Sequence, residues 1–495
     1  VFAQAVNSMP NGSPLVIGID VGTGGVRALA ATMDGEVAAT QAADFPVTPE
    51  HLPEGHHEQD PEMWWQTACR ALGRLADQLK QSGTSPDVLQ GVAVDGTSGT
   101  LAALDAAGRP VRPALMYNDL RGADQAERLN ELASDFLAKR GYSFNASFSA
   151  AKILYLQENE PQTFERTARF VHQADFVVTR LTGEPVVTDF NNALKTGYDL
   201  LEDRWPGWLD LDLGIGDRLP PVVEPGTRIG RISPTAAEQT GLPAGLAVMA
   251  GTTDGVAACL ASGLQKPGDY NTSLGTTLVF KGLSDRISIA PGGLVYSHRL
   301  PGGRWLPGAA SNTGAEWIGR WFGDTDLVAM DARAADLIPF APVAYPLARR
   351  GERFPFVRSQ AEGFFVREAD SSLQRYAACL LGTALVERLC YEVLDAVTEE
   401  SAGAIYATGG GSRSGLWNQC RADVTERVVH RPQRAESAFG SGVLVASSVL
   451  GEPLERVIHR MVHIETSFFP NVSRAGLYRE RFEEFGNELR RRGYL

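Results

Sequence analysis

Ile17-Gly18-Ile19-Asp20-Val21-Gly22-Thr23-Gly24-Gly25 is the stretch that decides the fold. An apolar run, Leu15–Asp20, closes on an acid and a turn of small residues, and Val26–Ala31 resumes the apolar pattern beyond it. The segment therefore reads as a β-hairpin, with Glu36–Ala42 as a third strand. In such a turn, glycines (Gly22 first) let backbone N–H groups approach phosphate oxygens, Thr23 offers a hydroxyl, and Asp20 can hold Mg2+. Taken alone, the same residues are equally a glycine-rich turn with a capping aspartate.

Further along, Asp269–Leu274 and Thr277–Phe280 form a second hairpin, whose turn region Asn271-Thr272-Ser273-Leu274-Gly275-Thr276-Thr277 carries hydroxyls. Two such turns facing one another from related halves would clamp a polyphosphate. Gly409-Gly410-Gly411-Ser412-Arg413-Ser414 follows the strand Ala404–Thr408 and precedes the helix holding Trp417. Consecutive glycines clear side chains from where a flat ring or ribose must lie against backbone; the plain alternative is a strand-to-helix loop. Gly251-Thr252-Thr253-Asp254-Gly255 follows the strand Leu246–Ala250 and opens the helix Val256–Ser262, so Asp254 is either an N-cap or a site acid. Asp95, Thr97 and Ser98, in Val94-Asp95-Gly96-Thr97-Ser98-Gly99, close another strand.

Strands alternate with helical runs near Asp60–Leu79, Ala123–Lys139, Ser371–Thr398 and Leu477–Arg492, which defines an α/β chain. Arg204–Gly245 is rich in Pro and Gly and reads as irregular loops. At 495 residues, 43% of them hydrophobic, the chain has material for two or three domains. A net charge of −13 leaves no basic excess for nucleic acid or an anionic membrane, and no apolar run is long enough to span one. Five scattered cysteines without a CxxC give neither a disulfide framework nor a zinc site, and fit a reducing, cytoplasmic location. Val1–Pro14 has no basic and apolar signal pattern and is read as a tail. His56-His57-Glu58 and the pair His459/His463 lack a third partner at metal-ligand spacing. No Gly-Lys dipeptide, GxSxG, HExxH or strict GxGxxG after the first strand occurs.

Together these motifs resemble the FGGY family of carbohydrate kinases, from about Leu15 to the C-terminus. Asp20-Val21-Gly22-Thr23 resembles its first phosphate motif, Ser273–Thr277 the second, and Gly409–Arg413 the adenosine motif. Gly251–Gly255 is similar to the segment carrying the family's catalytic base, which falls on Asp254. Ala438-Phe439-Gly440-Ser441-Gly442 resembles the family's Gly-Ala-Ala helix start, with Ser and Gly replacing the alanines. The resemblance implies a two-domain actin/Hsp70-like ATPase (ribonuclease H-like) fold with an interdomain cleft. The domains would be 13–261 plus the C-terminal helix 472–495, binding sugar, and 262–471, binding ATP.

Val94–Thr100, Asn191–Tyr198 and Tyr296–Leu300 look most like a ribulokinase-like branch, which implies D-ribulose as substrate and D-xylulose or another ketose or polyol as the alternative. Tyr117-Asn118-Asp119-Leu120-Arg121 departs from the Trp-x-x-x-Arg of glycerol kinases. The implied substrate set is Asp20, Ser98, Tyr117, Asn118, Asp119 and Asp254. ATP is assigned to Gly22, Thr23, Gly275, Thr276, Thr277, Gly410, Gly411, Ser414 and Trp417, with Mg2+ at Asp20. The expected partners are the sugar and MgATP, with no nucleic acid and no membrane, and a homodimer is the assembly expected. A non-catalytic actin-like ATP-binding protein would share the phosphate turns but would have no use for Ser98 and Tyr117–Arg121.

Overall fold

A computed structural model describes residues 12–46, 52–290 and 293–495; most of the amino-terminal stretch read as a tail lies outside them. The chain divides into two compact units. The first takes in the chain up to Ala261 together with His298–Gly303 and Arg434–His463; the second holds Ser262–Ser297, Arg304–Gln433 and Ile464–Leu495.

In the first unit, β1 (Leu15–Val21), β2 (Gly25–Thr32) and β3 (Val37–Asp44) form an antiparallel meander. Helix α1 (Pro61–Gln81) starts where the Asp60 side chain accepts from the Glu62 N–H and Pro61 supplies a preset first turn. It buries Trp64, Ala68, Leu72, Leu75 and Leu79 against the sheet, at about 1.5–3 kcal/mol for each large side chain. Strand β4 (Leu89–Gly96) then runs parallel to β1 on its other side. Beyond it lie β5 (Arg228–Arg231) and β6 (Ala247–Met249), giving the order β5-β6-β4-β1-β2-β3. All of β1 is buried, as suits a strand covered on both faces. Helix α2 (Asp254–Ser262) ends this part of the unit.

The second unit repeats the plan. Strands β7 (Tyr270–Leu274) and β8 (Leu278–Gly282) form the hairpin; β9 (Tyr296–Arg299) and β10 (Trp305–Ser311) extend the sheet, with β10 antiparallel to β8. After α3 (Glu316–Phe322) and the long α4 (Ser372–Thr398), β11 (Ile405–Thr408) enters parallel to β7. Helix α5 (Gly415–Thr425) leads to β12 (Val429–Pro432), parallel to β11. Three antiparallel strands followed by two parallel ones is the layout of both sheets. The echo between the two glycine turns is thus an echo between whole units. Within the second core, Arg421 of α5 forks onto Glu387 of α4 through two 2.7 Å bonds.

Helix α6 (Ser437–Leu450) belongs to the first unit, not to the second as the sequence reading had it. The reason is close backbone packing. A Cβ on Gly18 of β1 would lie 1.7 Å from Ala438 O, and one on Gly440 would lie 1.8 Å from Ala257 O of α2. Residues 438–442 therefore serve the sheet of the first unit. After β13 (Ile464–Phe468), the C-terminal helix α7 (Ala475–Arg491) departs from expectation in the opposite sense. It buries Tyr478, Phe485 and Leu489 in the core of the second unit rather than packing on the first. Two local readings also change. The Ala123–Lys139 run breaks into helices Ala123–Leu132 and Ser134–Ala138. Arg204–Gly245 contains β5 and a helix, Pro234–Thr240, capped by Ser233. Among the described residues, no helix is long and apolar enough to cross a membrane.

Candidate active site

Parallel pairing of β1, β4 and β6 brings three acids together in the first unit. Asp20 of β1 and Asp95 of β4 are register partners. The segment after β6 joins them because Thr253 bridges to Gly96 and because a Cβ on Gly251 would lie 1.8 Å from Val94 O. Asp254, at the start of α2, is close enough that its charge acts on Asp95. Burial raises the Asp20 carboxyl above its ordinary range, partly offset by Arg27, whose Nη1 lies 3.4 Å from Oδ2. Asp95 is fully buried; burial first, and then the Asp20 charge, push it well above that range. The Ser441 hydroxyl of α6 donates to Asp95 Oδ2 at 2.5 Å, whereas Asp95 Oδ1 has no hydrogen-bond partner. The Asp254 side chain accepts from the Gly255 N–H at 2.7 Å, a helix-start contact that asparagine could also make.

Such a set of acids calls for a cation. Among the described residues no three His, Cys, Asp or Glu side chains form a metal cage. The acids fit instead an ion held by one carboxylate through water and completed by phosphate oxygens, the usual way Mg2+ is bound. Asp20 is the member at the strand end beside the open turn. In that turn the Gly22 N–H donates to Gly25 O at 2.9 Å, Thr23 is exposed, and Gln59 Nε2 donates to Thr23 O at 2.8 Å.

Next to the acids, the end of β4 is tied into the unit by a hydroxyl chain. Gln173 Oε1 accepts from the Thr97 N–H and hydroxyl, Thr97 Oγ1 contacts Thr100 Oγ1 at 2.6 Å, and Thr100 Oγ1 accepts from the Tyr117 N–H. The chain places Ser98 and Tyr117 in one region. Ser98 Oγ and Asn118 Oδ1 are buried without a partner, and Tyr117 is exposed. Asp119 differs from its neighbours. It is fully buried, and its oxygens accept from the backbone N–H of His57 and Arg121 and from the Arg121 guanidinium, at 2.7–3.1 Å. Burial works against its ionised form, but these donors hold the carboxyl below the usual range. Its expected role in binding sugar is therefore corrected: Asp119 is spent on the fold.

In the second unit, the hairpin tip and the glycine run meet. Gly275 donates to Thr277 O at 3.0 Å and accepts from the Ala315 N–H at 2.7 Å, so the turn is set against the segment entering α3, and Thr276 is exposed. The three glycines of the run do different things. Gly409 adopts φ +81°, and a Cβ there would lie 2.7 Å from Leu274 O. A Cβ on Gly411 would lie 2.5 Å from the Leu274 side chain and 3.1 Å from the Trp417 ring. At Gly410 nothing lies within 4 Å, so this is the residue with open space above it.

Two expected nucleotide contacts are reassigned. Ser414 caps α5 by accepting from the Trp417 N–H at 2.9 Å, and donates to Asp331 Oδ2 at 2.7 Å. Trp417 is 1% exposed; its indole donates to Leu380 O and its ring meets Trp317 edge-on. It is a core residue beneath the glycine run. Asp331, Ser441 and Gln173 were not singled out from the sequence. Only Ser441 left a signal, as the departure from the family's alanine.

Residues 15–261 match the N-terminal domain of the FGGY family of carbohydrate kinases, and residues 271–448 match its C-terminal domain. The chain belongs to this family of sugar-phosphorylating enzymes. Among its relatives, a xylulose kinase of Streptomyces coelicolor is 32% identical, with 90% of each chain covered. The xylulose kinase of Escherichia coli is 28% identical over 95% of this chain and 98% of its own. The solved xylulose kinase of Rhodospirillum rubrum superposes with a TM-score of 0.83 at 26% identity, over 96% of this chain and 98% of that one. These names displace ribulose as the first-choice relative chemistry.

Proposed function

We propose that the protein transfers the γ-phosphate of ATP to a hydroxyl of a ketopentose, with D-xylulose ahead of D-ribulose. The observation that carries this reading is the convergence of Asp20, Asp95 and Asp254 at the strand ends of the first unit, beside the buried and unpartnered Ser98 Oγ. The xylulose kinases among the relatives support the choice of sugar. Asp254 takes the proton of the attacking hydroxyl, and Ser98 and Asn118 bind sugar oxygens, with Tyr117 at the exposed rim. Gly22 and Gly275 close the two turns with their own N–H groups, leaving Thr23 in the first unit, and Thr276 and Thr277 in the second, to offer N–H and hydroxyl donors to phosphate oxygens, which is most of what phosphoryl transfer asks of a protein. Mg2+, held at Asp20, would neutralise charge on those oxygens. Gly410, with Gly411 supporting it, backs the adenosine.

The test is steady-state turnover with D-xylulose and D-ribulose at saturating MgATP. An advantage for xylulose of tenfold or more in kcat/KM, about 1.4 kcal/mol in the barrier, is expected. A reversed preference returns the substrate to ribulose, an equal one removes the ranking of the two sugars, and ATP turnover indifferent to any sugar removes the kinase reading. The last result would favour a non-catalytic ATP-binding protein.

A further inference from the structure

Gln173 opens the helix Gln173–Thr182 in the first unit and is fully buried. The orientation of its amide is fixed by its partners. Oε1 accepts from the Thr97 N–H at 2.9 Å and from the Thr97 hydroxyl at 2.6 Å, and a backbone N–H can only donate, so the oxygen cannot trade places with the nitrogen. That leaves Nε2 as the other end of the amide, a buried donor with no hydrogen-bond partner. Buried donors are nearly always satisfied, so an acceptor is missing from this place. The surroundings say where. Gln173 lies against Gly96, whose added Cβ would be 3.3 Å from Oε1; Gly96 bridges to Thr253, next to Asp254; and Thr97 precedes Ser98, whose Oγ is also buried and unpartnered. Two open side-chain groups thus flank one strand end beside the acids.

We infer that Gln173 is a substrate-specificity residue: its Nε2 donates to an oxygen of the bound sugar, next to the oxygen met by Ser98. This rests on the reading of the first unit as the sugar site. Asp20 and Asp254 offer lone pairs to sugar hydroxyls, whereas Gln173 offers an N–H. Its partner is therefore an oxygen whose own proton is committed elsewhere, or the ketose carbonyl. An acyclic polyol with no carbonyl and a ketose would be told apart at this point.

The experiment is a binding cycle on the full chain. Dissociation constants for D-xylulose, its mono-deoxy analogues and xylitol are measured by calorimetry without nucleotide, on the wild type and on Gln173→Met. The expected result is a loss of tenfold or more in D-xylulose affinity, with one analogue, the one lacking the oxygen met by Nε2, binding both proteins within twofold. A uniform loss across all sugars would mean that Gln173 acts only through Thr97, and unchanged affinities would mean that Nε2 meets no sugar; either overturns the inference. Should the Met variant fail to fold, Gln173→Glu keeps an acceptor for Thr97 and is put through the same cycle. Absence of any sugar binding by the wild type would refute the sugar-site reading itself, and this inference with it.

Discussion

Asp20 and Asp95 stand side by side on adjacent parallel strands, and only Asp95 has a hydroxyl, that of Ser441, aimed at it from a helix. The pairing divides the labour of the acids. Asp95 is held by Ser441 of α6; Asp20 is met by Arg27 across the hairpin; Asp254 follows the next strand over.

Asp254→Asn separates chemistry from helix capping. The amide oxygen keeps the contact to the Gly255 N–H, so the melting temperature should hardly move. Loss of the carboxylate should lower kcat by roughly 10²–10⁴-fold with ATP binding unchanged. Retention of more than about a tenth of the activity, against that expected loss, would show that Asp254 is only the first residue of α2.

The glycine run offers a contrast between neighbours. Gly410→Val should fold normally, since nothing lies within 4 Å, and should raise the KM for ATP while sparing that for sugar. Gly411→Ala should instead cost about 1–3 kcal/mol of stability, because the new methyl meets Leu274 and the Trp417 ring. Thermal melts and ATP titrations of both variants check the pair; an unchanged ATP KM in Gly410→Val would make the run an ordinary loop.

Asp119→Asn tests whether this carboxylate serves the fold or the sugar. Its donors hold it below the ordinary carboxylate range, so its stabilisation is present at neutral pH and is lost as pH falls through its lowered value. Breaking the buried pair with Arg121 should cost about 3 kcal/mol or more at pH 7, with little change in sugar KM for the folded fraction. A large KM effect with unchanged stability would restore Asp119 to the binding set.

Lys152 gives a pH signature of the same sign in a higher pH window. It is fully buried, donates to Ala146 O at 2.8 Å, and burial pushes it down to about 7, with Asp119 and Lys195 pulling in opposite senses. Between pH 7 and its ordinary value of 10.5, the unfolded chain holds a proton that the folded one does not, so this lysine makes stability rise with pH. The slope is at most about 1.4 kcal/mol per pH unit. Lys152→Met should flatten that rise, as followed by urea melts at pH 7, 8 and 9, and should stabilise the protein most near pH 7. An unchanged slope would mean that Lys152 stays charged when folded.

What the sequence made legible was local. The two hairpins stand out because small-residue turns interrupt apolar runs, and α1 because Asp60-Pro61 and the Trp64–Leu79 spacing agree. What it hid was tertiary. No local pattern says that α6 seats on β1; that depends on Gly18 and Gly440 admitting a carbonyl each, which only the packed structure shows. Ser414 and Trp417 look like ligand contacts because hydroxyls and aromatics beside glycines often are, yet one caps a helix and the other fills a core. Four-residue β5 and seven-residue Pro234–Thr240 span too few turns for periodicity to register. Gln173 was invisible for a further reason: its significance lies in a bond it does not make.

The return of α6 to the first sheet has a consequence for synthesis on the ribosome. The strand carrying Asp20 emerges early, but the helix that covers Gly18 and supplies Ser441 is encoded beyond most of the second unit. At about 5–20 residues per second, the first sheet waits roughly ten seconds or more with that face uncovered. During that interval the nascent chain offers an apolar surface to chaperones, and Asp95 lacks its hydroxyl partner. The first unit is thus early in sequence and late in completion, and a fragment ending at Ala261 would lack part of its own core.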